Sequence, residues 1–288
     1  MGKCTAYVLV VYSAMTSRVP TLTHQLPSHG HAFAHAVTSL GDNVFVAQSQ
    51  IVEVYDAETF TLQRRIAVPG LHLSSNGFAV CSVYQCMYVY IAYNRSRIHR
   101  IELSGRNAVK KWSVTSKAGL SVNKSHNLVV AFWRENKLQE YTTHGCLVRE
   151  ICLQSGVTHP WHAIQLSSGH YVVSQHTSPG AVSVVGVDGQ VIRSYGPSQT
   201  SDVGQMECPS SLAVTKNDDI LVADEDNNRL LLIVRSTGCV QELDLSIIDS
   251  AMYATSGLCL DESRGRLYVG GKCDGVFDRV FVFDNVNL

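Results

Sequence analysis

A degenerate triplet, with a small middle residue and an apolar third, recurs six times along the chain. It appears as His35-Ala36-Val37, Phe78-Ala79-Val80, Leu120-Ser121-Val122, His162-Ala163-Ile164, Leu212-Ala213-Val214 and Leu258-Cys259-Leu260, at intervals of 42–50 residues. Six or seven residues after each comes an apolar run: VFVAQ (44–48), MYVYIA (87–92), LVVAF (128–132), YVVSQ (171–175), ILVAD (220–224) and LYVGG (267–271). A third run follows each second one, and a more polar fourth closes five of the six units, as in LQRRIAV (62–68) and LVREICL (147–153). Short runs rich in Val, Ile, Leu and Tyr, separated by Gly, Asn, Asp and Ser, read as strands. No segment holds a 3.6-residue apolar period for three turns, so almost no helix is expected. Four strands per unit and six units predict an all-β, six-bladed β-propeller.

The sixth unit runs out after its third strand, at 284–288. The segment Leu22-Thr23-His24-Gln25-Leu26-Pro27 has the character of a fourth strand, so the last blade is expected to be closed by an N-terminal strand. Such closure removes the sheet edges that invite aggregation. The expected organisation is one propeller over 20–288, with 1–19 as a tail or extra strand.

Composition fits a folded chain. Its 288 residues are 45% hydrophobic and 16% charged, which excludes intrinsic disorder. No apolar run approaches 18 residues, so no membrane-spanning helix is expected. The stretch 5–15 resembles a short leader core, but a single preceding lysine and no clear cleavage site point instead to a cytoplasmic protein. The sequons at Asn94 and Asn123 add little, because such triplets arise by chance. Nine cysteines without a C-x-x-C pair read as mostly small buried hydrophobes in a reducing compartment.

The fifth unit is the cleanest, with Cys208-Pro209-Ser210-Ser211-Leu212-Ala213-Val214, then Ile220–Asp224, then Glu225-Asp226-Asn227-Asn228-Arg229. It resembles the NHL repeat, whose pattern runs P-x-x-[IL]-A-V and [IL]-x-V-A-D-x-x-N-N-R. Through strand spacing the resemblance extends over about 26–284, closest in style to the C-terminal propeller of tripartite-motif (TRIM-NHL) proteins. No Trp-Asp pair supports WD40, and a single Gly-Gly doublet gives little to kelch. Asp224–Arg229 itself reads as a hairpin turn, with Arg229 tied back to Asp224, in preference to a cation site built from Asp224, Glu225 and Asp226.

The resemblance implies a non-catalytic recognition module, a scaffold that binds protein partners through its loops. In tripartite-motif proteins such propellers select substrates for ubiquitin transfer, with ligase chemistry supplied by RING and B-box segments. Their zinc-binding pairs are not in this sequence, so any ligase activity is expected from other domains. RNA binding is also known among these propellers. The net charge of −1 conceals an asymmetry relevant to both readings. Arg95, Arg97, Arg100, Arg106, Lys110, Lys111, Lys117 and Lys124 make the second and third units basic, whereas 201–288 is acidic. These eight residues are the candidate surface for an acidic peptide or, as the alternative, single-stranded RNA.

A third reading is a metal-dependent hydrolase or lyase. Twelve histidines are present, and by the repeat His29, His31, His72 and His159 fall in loops leading to innermost strands. His31, His72 and His159 are the candidate metal ligands at the channel mouth. NHL-like propellers include zinc-dependent amidoglycolate lyases with channel-facing histidines, but no motif here allows their residues to be carried over. Related lactonases hold calcium through acidic and Asn residues at inner strand ends. The ends here are Thr38, Cys81, Asn123, Gln165, Thr215 and Asp261, a single carboxylate. The competing reading of His35 and His162 is packing between blades, with Trp161 beside them. No G-x-S-x-G, Walker loop or H-E-x-x-H occurs. The expectation is therefore no enzyme, no cofactor, a protein partner, no membrane and a monomeric domain.

Overall fold

A computed structural model describes residues 20–26, 36–48, 50–68, 77–92, 96–104, 109–196, 205–243, 252–273, 278–286 and 288. The segment 1–19, His29, His31, His35, His72, Arg95 and Arg106 lie outside the described residues.

Six four-stranded antiparallel sheets form the blades. Counting β1 (Thr21–Leu26) first, blade 1 is β2 (Ala36–Leu40), β3 (Asn43–Ala47), β4 (Ile51–Asp56) and β5 (Leu62–Ala67). Blade 2 is β6 (Phe78–Cys81), β7 (Cys86–Ile91), β8 (Arg97–Glu102) and β9 (Val109–Ser113). Blade 3 is β10 (Ala118–Val122), β11 (Leu128–Phe132), β12 (Lys137–Tyr141) and β13 (Leu147–Cys152). Blade 4 is β14 (Pro160–Gln165), β15 (Tyr171–Gln175), β16 (Ala181–Val185) and β17 (Val191–Tyr195). Blade 5 is β18 (Pro209–Val214), β19 (Ile220–Asp224), β20 (Arg229–Val234) and β21 (Cys239–Leu243). Blade 6 is β22 (Met252–Asp261), β23 (Arg266–Cys273), β24 (Asp278–Asp284) and β1.

The expected closure is present: β1 pairs antiparallel with β24, from Thr21 opposite Asp284 to Leu26 opposite Val280. Leu26 is buried between blades 6 and 1. Innermost strands neighbour one another around the ring, β2 with β6 and β22, and β14 with β10 and β18.

Each blade interface has its own apolar cluster, which follows from the side-chain period of two. On β7, Met87, Val89 and Ile91 face blade 1, while Tyr88 and Tyr90 face blade 3. On β11, Leu128, Val130 and Phe132 face blade 2, while Val129 and Ala131 face blade 4. Second strands are thus buried on both sides, which leaves charge to turns and outer strands and accounts for the low charged fraction.

Polar bonds around the channel join the inner strands. Ser121 Oγ donates to the Ala163 carbonyl at 2.5 Å. Leu212 N–H donates to His162 Nδ1 at 3.1 Å. Leu258 N–H donates to Ser211 Oγ at 3.1 Å, and Ser39 N–H to Cys259 Sγ at 3.1 Å. Inner strands of neighbouring blades also approach closely. At Gly119, immediately before the third triplet, a Cβ would fall 1.9 Å from the Trp161 carbonyl oxygen.

The Asp224 turn is as expected. Arg229 Nε lies 2.8 Å from the Asp224 carboxylate, which also accepts from Glu207 N–H at 2.7 Å and Asn227 Nδ2 at 2.8 Å. These donors occupy the carboxylate, which is fully buried. The cysteine expectation needs correction. Cys81 and Cys86 are buried, but Cys146, Cys152 and Cys239 are exposed, because the last three stand on or beside outermost strands whose outer edge faces solvent.

Candidate functional site at one channel mouth

Lys117, Trp133, His159, Trp161, His176 and Glu225 come together on the face where innermost strands begin. Register explains the convergence. Lys117 and Trp133 flank the paired ends of β10 and β11, where Trp133 N–H donates to the Lys117 carbonyl at 3.2 Å. His159 and His176 flank β14 and β15 in the same way, with His176 N–H donating to the His159 carbonyl at 3.2 Å. A bulge between Pro160 and His162 re-aims Trp161 toward blade 3.

The buried Trp161 indole is covered on two sides. Lys117 Nζ stands 3.8 Å from its ring centroid, and the His176 imidazole stacks on it at 4.4 Å with 23° between planes. Trp133 meets Trp161 edge-on at 6.4 Å and His159 at 5.4 Å. His176 Nε2 lies 3.7 Å from the Glu225 carboxylate of blade 5. Burial lowers the Lys117 pKa, opposed by the Glu225 charge. Cation–π contact over a Trp face offsets part of that desolvation.

His159 is exposed and has φ of +51°, immediately before Pro160. A non-glycine residue in the left-handed region is uncommon, and the residue before a proline ordinarily prefers extended backbone. Cys208 before Pro209 repeats the conformation in blade 5 with φ of +53°. The Cys208 thiol is pushed up to about 12, by burial first and then by Asp226, Glu225 and Glu207, which keeps it protonated and unsuited to nucleophilic attack.

The remaining sequence candidates are dispersed. Arg97 is exposed at the start of β8, and Lys110 and Lys111 are exposed on outermost β9. Arg100 is buried, with Nε donating to Thr143 Oγ1 at 2.9 Å and Nη1 to Glu102 at 3.1 Å. That placement corrects its assignment to a solvent-facing basic surface: third strands of these blades are covered on both faces, and Arg100 ties blade 2 to blade 3. Lys117 and Lys124 stand at opposite ends of β10, so the described members do not share one face. Of the three proposed metal ligands only His159 is among the described residues, and within those no three His, Cys, Asp or Glu side chains converge. His162 is buried and packs between blades as its competing reading held, accepting from Leu212 N–H and donating to the Leu120 carbonyl. Glu225 was weighed from sequence only as a ligand of the disfavoured cation site, and its pairing with His176 was not foreseen, since their proximity arises only through the ring.

Comparison with protein families matches residues 206–231 to the NHL repeat. No curated protein matches the sequence significantly. Solved structures show likeness of fold. A Bacteroides caccae protein of unknown function aligns with TM-score 0.62 at 15% identity, covering 79% of this chain and 81% of that one. Virginiamycin B lyase from Staphylococcus aureus aligns with TM-score 0.60 at 11% identity, covering 90% and 88%. The PQQ-bound aldose sugar dehydrogenase of Streptomyces coelicolor aligns with TM-score 0.67 at 13% identity, covering 92% and 97%. The chain is therefore similar to NHL-type propellers in one unit and to propellers of diverse activity in fold.

Proposed function

We propose that this propeller is a non-catalytic recognition module that seats a protein partner on the mouth formed by Lys117, Trp133, His159 and Trp161. The observation that carries the reading is the half-exposed Trp133 and exposed His159, mounted on a buried Trp161 already packed by Lys117 and His176. Aromatic and cationic side chains with little freedom left to lose are the usual energetic centres of interfaces. The NHL match at 206–231 supports an NHL-type propeller and says nothing of a ubiquitin-ligase setting.

The test is substitution at the exposed rim. Trp133→Ala combined with His159→Gly is expected to weaken the complex with a native partner by roughly a hundredfold, a loss of two hot-spot contacts. The unfolding temperature should stay near wild type, since glycine tolerates the positive φ at 159. A complex of unchanged affinity contradicts the reading.

A second reading, acid–base catalysis of the lyase kind, has one observation in its favour. Lys117, whose pKa burial lowers, meets the His176–Glu225 pair at the same ring, which places three proton-carrying side chains around one aromatic surface. Under that reading His176→Gln abolishes turnover of a small substrate without affecting capture of a protein.

A further inference from the structure

Cys81 and Cys86 stand directly opposite each other across the β6–β7 hairpin. Opposed residues of an antiparallel pair lie about 4.5 Å or about 5.5 Å apart at Cα. Both separations fall inside the roughly 4.4–6.8 Å that a disulfide spans. The two side chains enter the same apolar cluster between blades 2 and 3, and both thiols are free.

Other blades fasten their hairpins at this position, directly after the triplet. In blade 3 the Asn123 side-chain oxygen accepts Asn127 N–H at 2.9 Å, and in blade 5 Thr215 Oγ1 accepts Asp219 N–H at 3.0 Å. In blade 6 the Asp261 carboxylate accepts Arg264 N–H at 3.3 Å and its guanidinium at 3.2 Å. Blade 2 carries Cys81 there, and sulfur is a weak acceptor. Facing it is a second thiol, so the fastening open to this hairpin is covalent.

Burial raises the Cys86 pKa, opposed by a hydrogen bond from Tyr88 and by the Arg100 charge. At rest the thiol is protonated and slow to react. Access comes from the turn that joins the pair. Residues 82–85 are all exposed, and β6, with four residues, is the shortest of the described strands. Local opening at such an end costs far less than global unfolding.

We propose that Cys81 and Cys86 form a reversible dithiol–disulfide site, oxidised by a low-molecular-weight disulfide, whose closed form clamps the blade 2 turn. One cysteine thiolate attacks a sulfur of the reagent and expels a thiolate, which takes up a proton. The second cysteine gives up its proton, attacks the first and expels the other half of the reagent. The pair loses two electrons and two protons, and the reagent becomes two thiols. The site lies on the face opposite the Trp161 mouth and does not rest on the proposed function.

The test uses the full chain, equilibrated in glutathione buffers of rising disulfide content, quenched in acid and alkylated in denaturant. Trypsin leaves both cysteines in one peptide, 66–95, with no third cysteine. That peptide should lose both alkylation sites together, weigh two hydrogen atoms less than its dithiol form and return to the dithiol with dithiothreitol. Exposed Cys146, Cys152 and Cys239 gauge the buffer, since they take up glutathione without forming a pair. Full alkylation of 66–95 where those three are modified overturns the proposal. So does a stable glutathione adduct on either cysteine in place of the internal bond.

Discussion

His162 shows how one side chain can hold three blades. Its ring accepts from Leu212 of blade 5 and donates to Leu120 of blade 3 while its own strand belongs to blade 4. Burial lowers its pKa from 6.5 to about 4, and His99 is lowered similarly by burial, then by Lys111 and Arg97. The unfolded chain therefore binds more protons than the fold between those values. The contribution to stability is complete above about pH 6.5, falls as pH drops through that interval and is gone below about pH 4. For His162 the loss amounts to about 3 kcal/mol. Urea denaturation at pH 7.5 and pH 5 should show it. His162→Phe is expected to cost about 2 kcal/mol at pH 7.5, because a buried N–H and carbonyl lose their partner. It should also flatten the fall toward pH 5, leaving the share owed to His99. An unchanged slope in that variant would assign the acid sensitivity elsewhere.

At the scale of elements, the closing strand β1 matters most. It supplies blade 6 with its fourth strand and places Leu26 between blades 6 and 1. Leu26→Ala should lower stability by about 2–4 kcal/mol, as for other buried leucines. A chain deleted through residue 26 should also self-associate, since β24 then presents an unpaired edge. Light scattering and chemical denaturation read the two effects separately. Strands of this kind were legible in sequence because double-sided burial gives continuous apolar runs at nearly constant offsets. The closure of blade 6 was legible too, because the sixth unit runs out after its third strand and left one strand missing. Side-chain orientation was less legible. Arg100 looked like part of a basic surface, yet β8 is covered on both faces and the guanidinium turns inward to Thr143. Cys146, Cys152 and Cys239 misled in the opposite sense, because they stand on or beside outermost strands, which are polar and have no neighbour on one edge.

Across the whole molecule, the mouth was legible only in part. His159 and Lys117 stood out by residue type and local charge. Their meeting with Trp133, Trp161, His176 and Glu225 spans more than a hundred positions and three blades, and depends on a bulge at Pro160 that no local pattern announces. Ring closure also separates what the sequence placed together: Lys117 and Lys124, seven positions apart, serve opposite faces. Those two faces differ in chemistry, an aromatic and histidine-rich mouth on one side and a rim carrying Lys124, Lys216, Asp218 and Glu262 on the other. The account's central claim concerns the first face. A photo-crosslinking residue at position 159, with the same residue at the exposed position 187 on the blade 4 turn as control, tests it most directly. The account predicts a discrete covalent protein adduct from 159, abolished by Trp133→Ala and absent from 187. Equal labelling from both positions, or none from 159, would contradict it.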